Sequence, residues 1–133
     1  GIRSPVARSE KNFDPGAKYH ITSNSPYISY FVSYFQQFQM FKALCDISGY
    51  DGPLHECDFY GSREAGKKLK HMLSQGSSIP WQDQLDYLTG SRQVTADAIL
   101  QYFKPLHVWL VNDNTLHKET IGWDSAKINW SDK

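Results

Sequence analysis

Within thirteen residues the chain carries an amine, an imidazole and two phenols, on Lys18, His20, Tyr27 and Tyr30. A cation beside a phenol suits a carboxylate ligand, because hydrogen bonds to an ionised group are shorter and stronger than neutral ones. A histidine can donate to a carbonyl or move a proton near neutral pH. A tyrosine hydroxyl can stabilise a developing oxyanion. Each side chain also has a plainer reading. A loop lysine is solvated, a lone histidine is satisfied within the structure, and tyrosines at helical spacing are core with a hydrogen-bonded tip. On the residues alone both readings stand.

Other chemistries lack their signatures. The five histidines are His20, His55, His71, His107 and His117, and no two are four residues apart. The zinc motif His-Glu-x-x-His is therefore absent, and His55-Glu56 runs on into Cys57-Asp58. There is no Gly-rich phosphate loop and no Gly-x-Ser-x-Gly elbow. Lys plus Arg equals Asp plus Glu at 14 each, and the only short basic cluster is Lys67, Lys68 and Lys70. A nucleic-acid binder needs a stripe that neutralises several phosphates, so that class is set aside.

The elements that must hold these groups read as helices. Residues 1–17 are rich in Pro, Gly, Ser and charge and read as loop, with a turn signal at Asp14-Pro15-Gly16. Residues 18–25 are expected to be an extended segment, with Lys18 and His20 on one side of it. Pro26 suits the first turn of a helix that runs to about Ser48. On it Tyr27, Tyr30, Phe31, Tyr34, Phe38, Phe41 and Cys45 share a stripe, with Ser33, Gln36 and Met40 opposite. A helix so apolar around most of its girth is expected at the centre of a larger body, with both faces covered.

Three further helices follow. Ser62 caps the next and Gly76 ends it; Pro80 opens another, with Trp81, Leu85 and Leu88 one turn apart and Gly90 ending it. Thr95 is expected to cap the last, which carries Ile99, Tyr102, Phe103, Leu106, Trp109 and Leu110 and should kink or split at Pro105. The tail from Gly122 reads as loop, with Trp123 and Trp130 as packing anchors. No run of about 18 apolar residues is present, so no transmembrane helix is expected. The start, Gly1-Ile2-Arg3-Ser4-Pro5, has neither an apolar signal core nor an initiator Met, which reads as a fragment or a mature product.

Cys45 and Cys57 have eleven residues between them, with Gly49, Gly52 and Pro53 in the interval. This spacing permits a disulfide and an oxidising compartment, or two buried thiols. Closure of so short a loop would contribute about 3 kcal/mol. Asn129-Trp130-Ser131 is a glycosylation sequon.

A string of motifs then resembles one family. Phe13-Asp14-Pro15-Gly16-Ala17-Lys18-Tyr19-His20-Ile21, Pro26-Tyr27-Ile28-Ser29-Tyr30-Phe31-Val32-Ser33 and Gly52-Pro53-Leu54-His55-Glu56-Cys57-Asp58 are similar to segments of angiotensin-converting enzymes. So are Gln37-Phe38-Gln39, Ala43-Leu44-Cys45, Ala65-Gly66, Pro80-Trp81, Tyr102-Phe103-Lys104-Pro105-Leu106 and Ile121-Gly122-Trp123, in order along essentially the whole chain. The resemblance implies an all-α fold, the C-terminal portion (1–133) of a larger zincin-like helical metallopeptidase domain. It implies an extracellular, secreted zinc peptidyl-dipeptidase that removes C-terminal dipeptides from oligopeptides with a free carboxylate. The zinc ligands would lie upstream, so this chain would hold no metal and be inactive alone, with the rest of its catalytic domain as its partner.

The family's roles fall on matching positions. Lys18 and Tyr27 match the pair that grips the substrate's terminal carboxylate. His20 matches the histidine that bonds the peptide backbone beside the scissile bond, and Tyr30 matches the tyrosine that stabilises the oxyanion. Tyr19 and Tyr34 stand where the family has phenylalanines lining the pocket for the last side chain, and their hydroxyls would make it more polar. Cys45 and Cys57 match a family disulfide. Ser29 replaces the arginine that holds a bound chloride, so chloride activation through that position is not expected. Two alternatives remain: an inactive paralogue that binds peptides or partners, and a single-residue carboxypeptidase, whose branch lacks the lysine matching Lys18.

Overall fold

The computed structural model describes residues 8–119 and 121–122. Among them the regular elements are all helical: α1 (Tyr19–Thr22), α2 (Ile28–Ser48), α3 (Arg63–Gln75), α4 (Trp81–Thr89) and α5 (Asp97–His117), with 3-10 turns at Asp14–Ala17 and Leu54–Glu56. The all-α expectation therefore holds. The chain divides into two compact units, one being Ile28–Leu106 and the other the segments before and after it.

The core of the unit Ile28–Leu106 follows from amphipathic spacing. Ala65, Leu69 and Met72 recur on one side of α3 and meet Leu44 of α2 and Leu88 of α4. Met40, Ala43 and Ile47 line the α2 face against this cluster. Met40 thus faces the core rather than a polar side. A helix with apolar residues all round offers two seams, and α3 with α4 occupy the one marked by small and flexible side chains. The other seam meets the start of α5: Phe38 lies 4.9 Å from Tyr102 and 5.6 Å from Phe103, ring centre to ring centre. Phe41 sits between Phe59 and Tyr102 at 6.0 and 6.2 Å.

The helix ends are chemically specified. Ser62 accepts a hydrogen bond from Ala65 N at the start of α3, and Gly76 (φ 53°) and Gly90 (φ 75°) end α3 and α4 in conformations open to glycine. Gly49 (φ 80°) closes α2 in the same way, with Tyr50 N–H donating back to Cys45 O. Lys68 leaves the apolar face of α3 to lie 4.2 Å over the Tyr87 ring and donate to Tyr87 O, tying α3 to α4. Cys45, only 1% exposed, is disulfide-bonded to Cys57, which anchors the loop after α2.

Two boundaries differ from the sequence expectations. The helix expected from Pro26 starts at Ile28, leaving Tyr27 outside it. The last helix opens at Asp97 rather than beside Thr95. Thr95 N–H instead donates to Gln39 Oε1, while Gln39 Nε2 donates to Gln93 O, so one side chain of α2 holds the linker before α5. Pro105 lies inside α5 without splitting it. A proline removes one backbone donor, and the bonds on either side of it keep the element continuous. Trp123, Asn129 and Trp130 lie outside the described residues.

Candidate functional site

The segment expected to be extended at residues 18–25 is one helical turn followed by a reversal. Lys18 keeps extended angles (φ −93°, ψ 117°), as the residue that caps α1. Its N–H donates to Pro15 O, and its carbonyl accepts from Ile21 N and Thr22 N. The alternation of side chains that made Lys18 and His20 strand neighbours competes with these local bonds, and the bonds prevail. Before it, Phe13 packs over Gly16, where a Cβ would come within 2.8 Å of the ring. Arg8 pairs with Asp14 through both carboxylate oxygens.

The reversal has a definite geometry. Asn24 takes a left-handed conformation (φ 51°), its N–H donates to Ile21 O, and Ser25 N–H donates to His20 O. This pair of bonds is the Schellman arrangement that ends helices, with Asn in the place glycine usually fills. It turns the chain so that Tyr27 comes back over His20. The two rings lie 4.3 Å apart at 41°, and Tyr19 meets His20 edge-on at 5.7 Å. Lys18 Nζ sits 5.0 Å from the centre of the Tyr27 ring. Four of the six residues assigned to substrate contact by type and resemblance, Lys18, Tyr19, His20 and Tyr27, are thus gathered by one turn of chain.

Two features of this group bear on its chemistry. Lys18 has no carboxylate within ion-pair distance among the described residues. His20 Nδ1 is buried and has no hydrogen-bond partner among them. Buried polar atoms are nearly always paired, because an unmade bond costs about 1–3 kcal/mol. The Lys18 amine and the His20 ring thus both lie against the ring of Tyr27.

Tyr30 and Tyr34 belong to the other compact unit, one turn apart on α2, with Tyr30 60% and Tyr34 59% exposed. Phe31 beside them is 60% exposed and packs edge-on to Phe35. Ser29 is exposed in the first turn of α2. The N-terminal half of this helix, expected to be covered within a larger body, is exposed in this chain. Sequence reasoning missed Asn24, whose left-handed turn places Tyr27. The Ser-Asn-Ser-Pro stretch was its only signal.

No group of three or more His, Cys, Asp or Glu among the described residues is placed to hold a metal. His55 meets Glu56 at 3.6 Å and His117 meets Asp113 at 3.3 Å, but each is a pair without the third protein ligand that even an open zinc site requires. No helix among the described residues is long and apolar enough to cross a membrane.

The regular elements of the described residues are all helical, and one turn of chain groups an amine, an imidazole and a phenol. Comparison with known proteins gives its kinship. The sequence profile described as angiotensin-converting enzyme, peptidase family M2, matches residues 1–123. The angiotensin-converting enzyme of Sus scrofa is 50% identical over 131 residues, covering 98% of this chain and 10% of that relative. An angiotensin-converting enzyme-like protein of Mus musculus is 47% identical over 133 residues, covering 100% of this chain and 18% of that relative. The angiotensin-converting enzyme of Theromyzon tessulatum is 48% identical over 109 residues, 82% of this chain and 18% of that relative. The chain belongs to the angiotensin-converting enzyme family. It spans roughly a tenth to a fifth of the length of these curated relatives.

Proposed function

We propose that this chain is the substrate-gripping, C-terminal part of a zinc-dependent peptidyl-dipeptidase, a hydrolase that removes dipeptides from the free C-terminus of oligopeptides. The observation that carries the reading is the convergence of Lys18 and His20 on Tyr27, with the Lys18 amine lacking a counter-anion and His20 Nδ1 lacking a partner among the described residues.

A peptide carboxylate would complete this arrangement. The Lys18 ammonium supplies the charge, and the Tyr27 hydroxyl, on the ring that Lys18 overlies, supplies a neutral donor. His20, stacked with Tyr27 and edge-on to Tyr19, is assigned to the peptide backbone next to the bond to be cut. Tyr30 is assigned to the oxyanion, where a positioned donor contributes a large share of catalysis. By resemblance, Tyr19 and Tyr34 each carry a hydroxyl where the family has a pocket-lining phenylalanine, which favours a polar last residue in the substrate. Zinc, which activates water in such enzymes, has no ligand assigned in this chain; it would be held by the rest of the catalytic domain. Ser29 offers no guanidinium to hold chloride. The disulfide supports an extracellular, secreted setting.

Incubating the full-length protein with an unmodified hexapeptide and weighing the products tests the reading. Release of the C-terminal dipeptide supports it. Release of a single residue would make the protein a carboxypeptidase instead. Binding without cleavage would make it a peptide-binding paralogue.

A further inference from the structure

The chain has no net charge, yet α3 carries four cations to one carboxylate within 13 residues. Three of them, Arg63, Lys67 and Lys70, follow each other at helical spacing along one exposed line that Ser74 continues. The line is opposite the buried face of Ala65, Leu69 and Met72, so it points to solvent from the unit Ile28–Leu106. A rise of about 1.5 Å per residue spreads the three charges over ~10 Å of helix axis.

Helix stability does not account for this row. Arg63 occupies the first position of α3, where the helix dipole disfavours a cation. Only Lys67 has an acidic partner, Glu64 at 2.7 Å, and that pair is 72% and 69% exposed and therefore weak. Neither Arg63 nor Lys70 is paired among the described residues. Lys68, which does hold the fold together, lies off the line and over Tyr87.

We propose that the Arg63–Lys67–Lys70 row is a docking strip for a sulfated polysaccharide. A linear polymer with regularly spaced strong anions matches a straight row of cations that has no large apolar side chain within it. An acidic protein surface would need an apolar centre, with charge at its rim. Nucleic acid would need more phosphate contacts or aromatic platforms for its bases, which this line lacks. The Cys45–Cys57 disulfide points to an oxidising compartment, where sulfated polysaccharides occur.

The test uses full-length protein on immobilised heparin, with N-desulfated, O-desulfated heparin and duplex DNA as comparison surfaces. The wild type binds heparin, and binding weakens steeply with salt. Arg63→Gln/Lys67→Gln/Lys70→Gln loses at least tenfold in affinity, and its slope of log Kd against log salt falls by roughly two to three. Its helical circular dichroism and peptide hydrolysis stay at wild-type levels. A control, Lys11→Gln/Lys42→Gln/Lys104→Gln, removes equal charge elsewhere and retains binding. Equal loss in both triple variants would mean general charge and overturn the proposal. So would no binding by the wild type, equal binding to desulfated heparin, or tighter binding to DNA.

Discussion

At the scale of single residues, the site depends on a turn as much as on the groups that carry the chemistry. Lys18, His20 and Tyr27 are brought together because Asn24 accepts a left-handed backbone. Non-glycine residues there cost roughly 1–2 kcal/mol, which Asn lessens with its short polar side chain. Asn24→Gly should leave stability and peptide affinity of the full-length protein near wild type. Asn24→Val should raise KM at least fivefold with a smaller change in kcat, because Tyr27 loses its place over His20. Steady-state kinetics on both variants checks this. Equal KM for the two would show that the turn does not position Tyr27.

At the scale of elements, the disulfide and the helix caps decide which parts are rigid. Cys45 is buried and linked to Cys57 across a separation of 12 residues. Replacing both by Ser should cost about 3 kcal/mol of stability, read as a lower denaturant midpoint for the unit Ile28–Leu106. Helices of this unit were legible because periodicity, Ser62, Gly76 and Gly90 all agreed. Polar caps and glycines act over one turn, so sequence records them directly. The misread points were set by partners distant in sequence. Gln39 reaches Gln93 and Thr95 more than fifty residues away and shifts the start of α5. Met40, opposite the aromatic stripe, lies on a core seam, in keeping with apolar residues around most of the helix. The site's residue types were legible, and the resemblance supplied their roles. The reversal that groups four of them was not, because alternation at Lys18 and His20 mimics a strand.

At the scale of the whole molecule, the exposed aromatics of α2 and the small share of its relatives' length that the chain spans point the same way. Ile28, Tyr30, Phe31 and Tyr34 carry too much apolar surface to be left to water, and the chain matches only a small fraction of its relatives' length. The proposed activity therefore belongs to a larger domain. The 133-residue chain, purified and dialysed against zinc-containing buffer, should retain far less than one equivalent of zinc and release no dipeptide. The full-length protein in the same assays should do both. Stoichiometric zinc on the short chain, by elemental analysis, would show that the metal site is misassigned.

The central claim is that the Lys18 amine, seated over Tyr27, holds a peptide's free carboxylate. Its most direct test compares kcat/KM for one peptide with a free and with an amidated C-terminus, using full-length wild type and Lys18→Gln. A charge-assisted bond worth ~1.5–3 kcal/mol predicts that the wild type prefers the free acid by roughly ten- to a hundredfold or more, and that Lys18→Gln removes most of this preference through KM. A preference for the free acid that survives unchanged in Lys18→Gln would contradict the account.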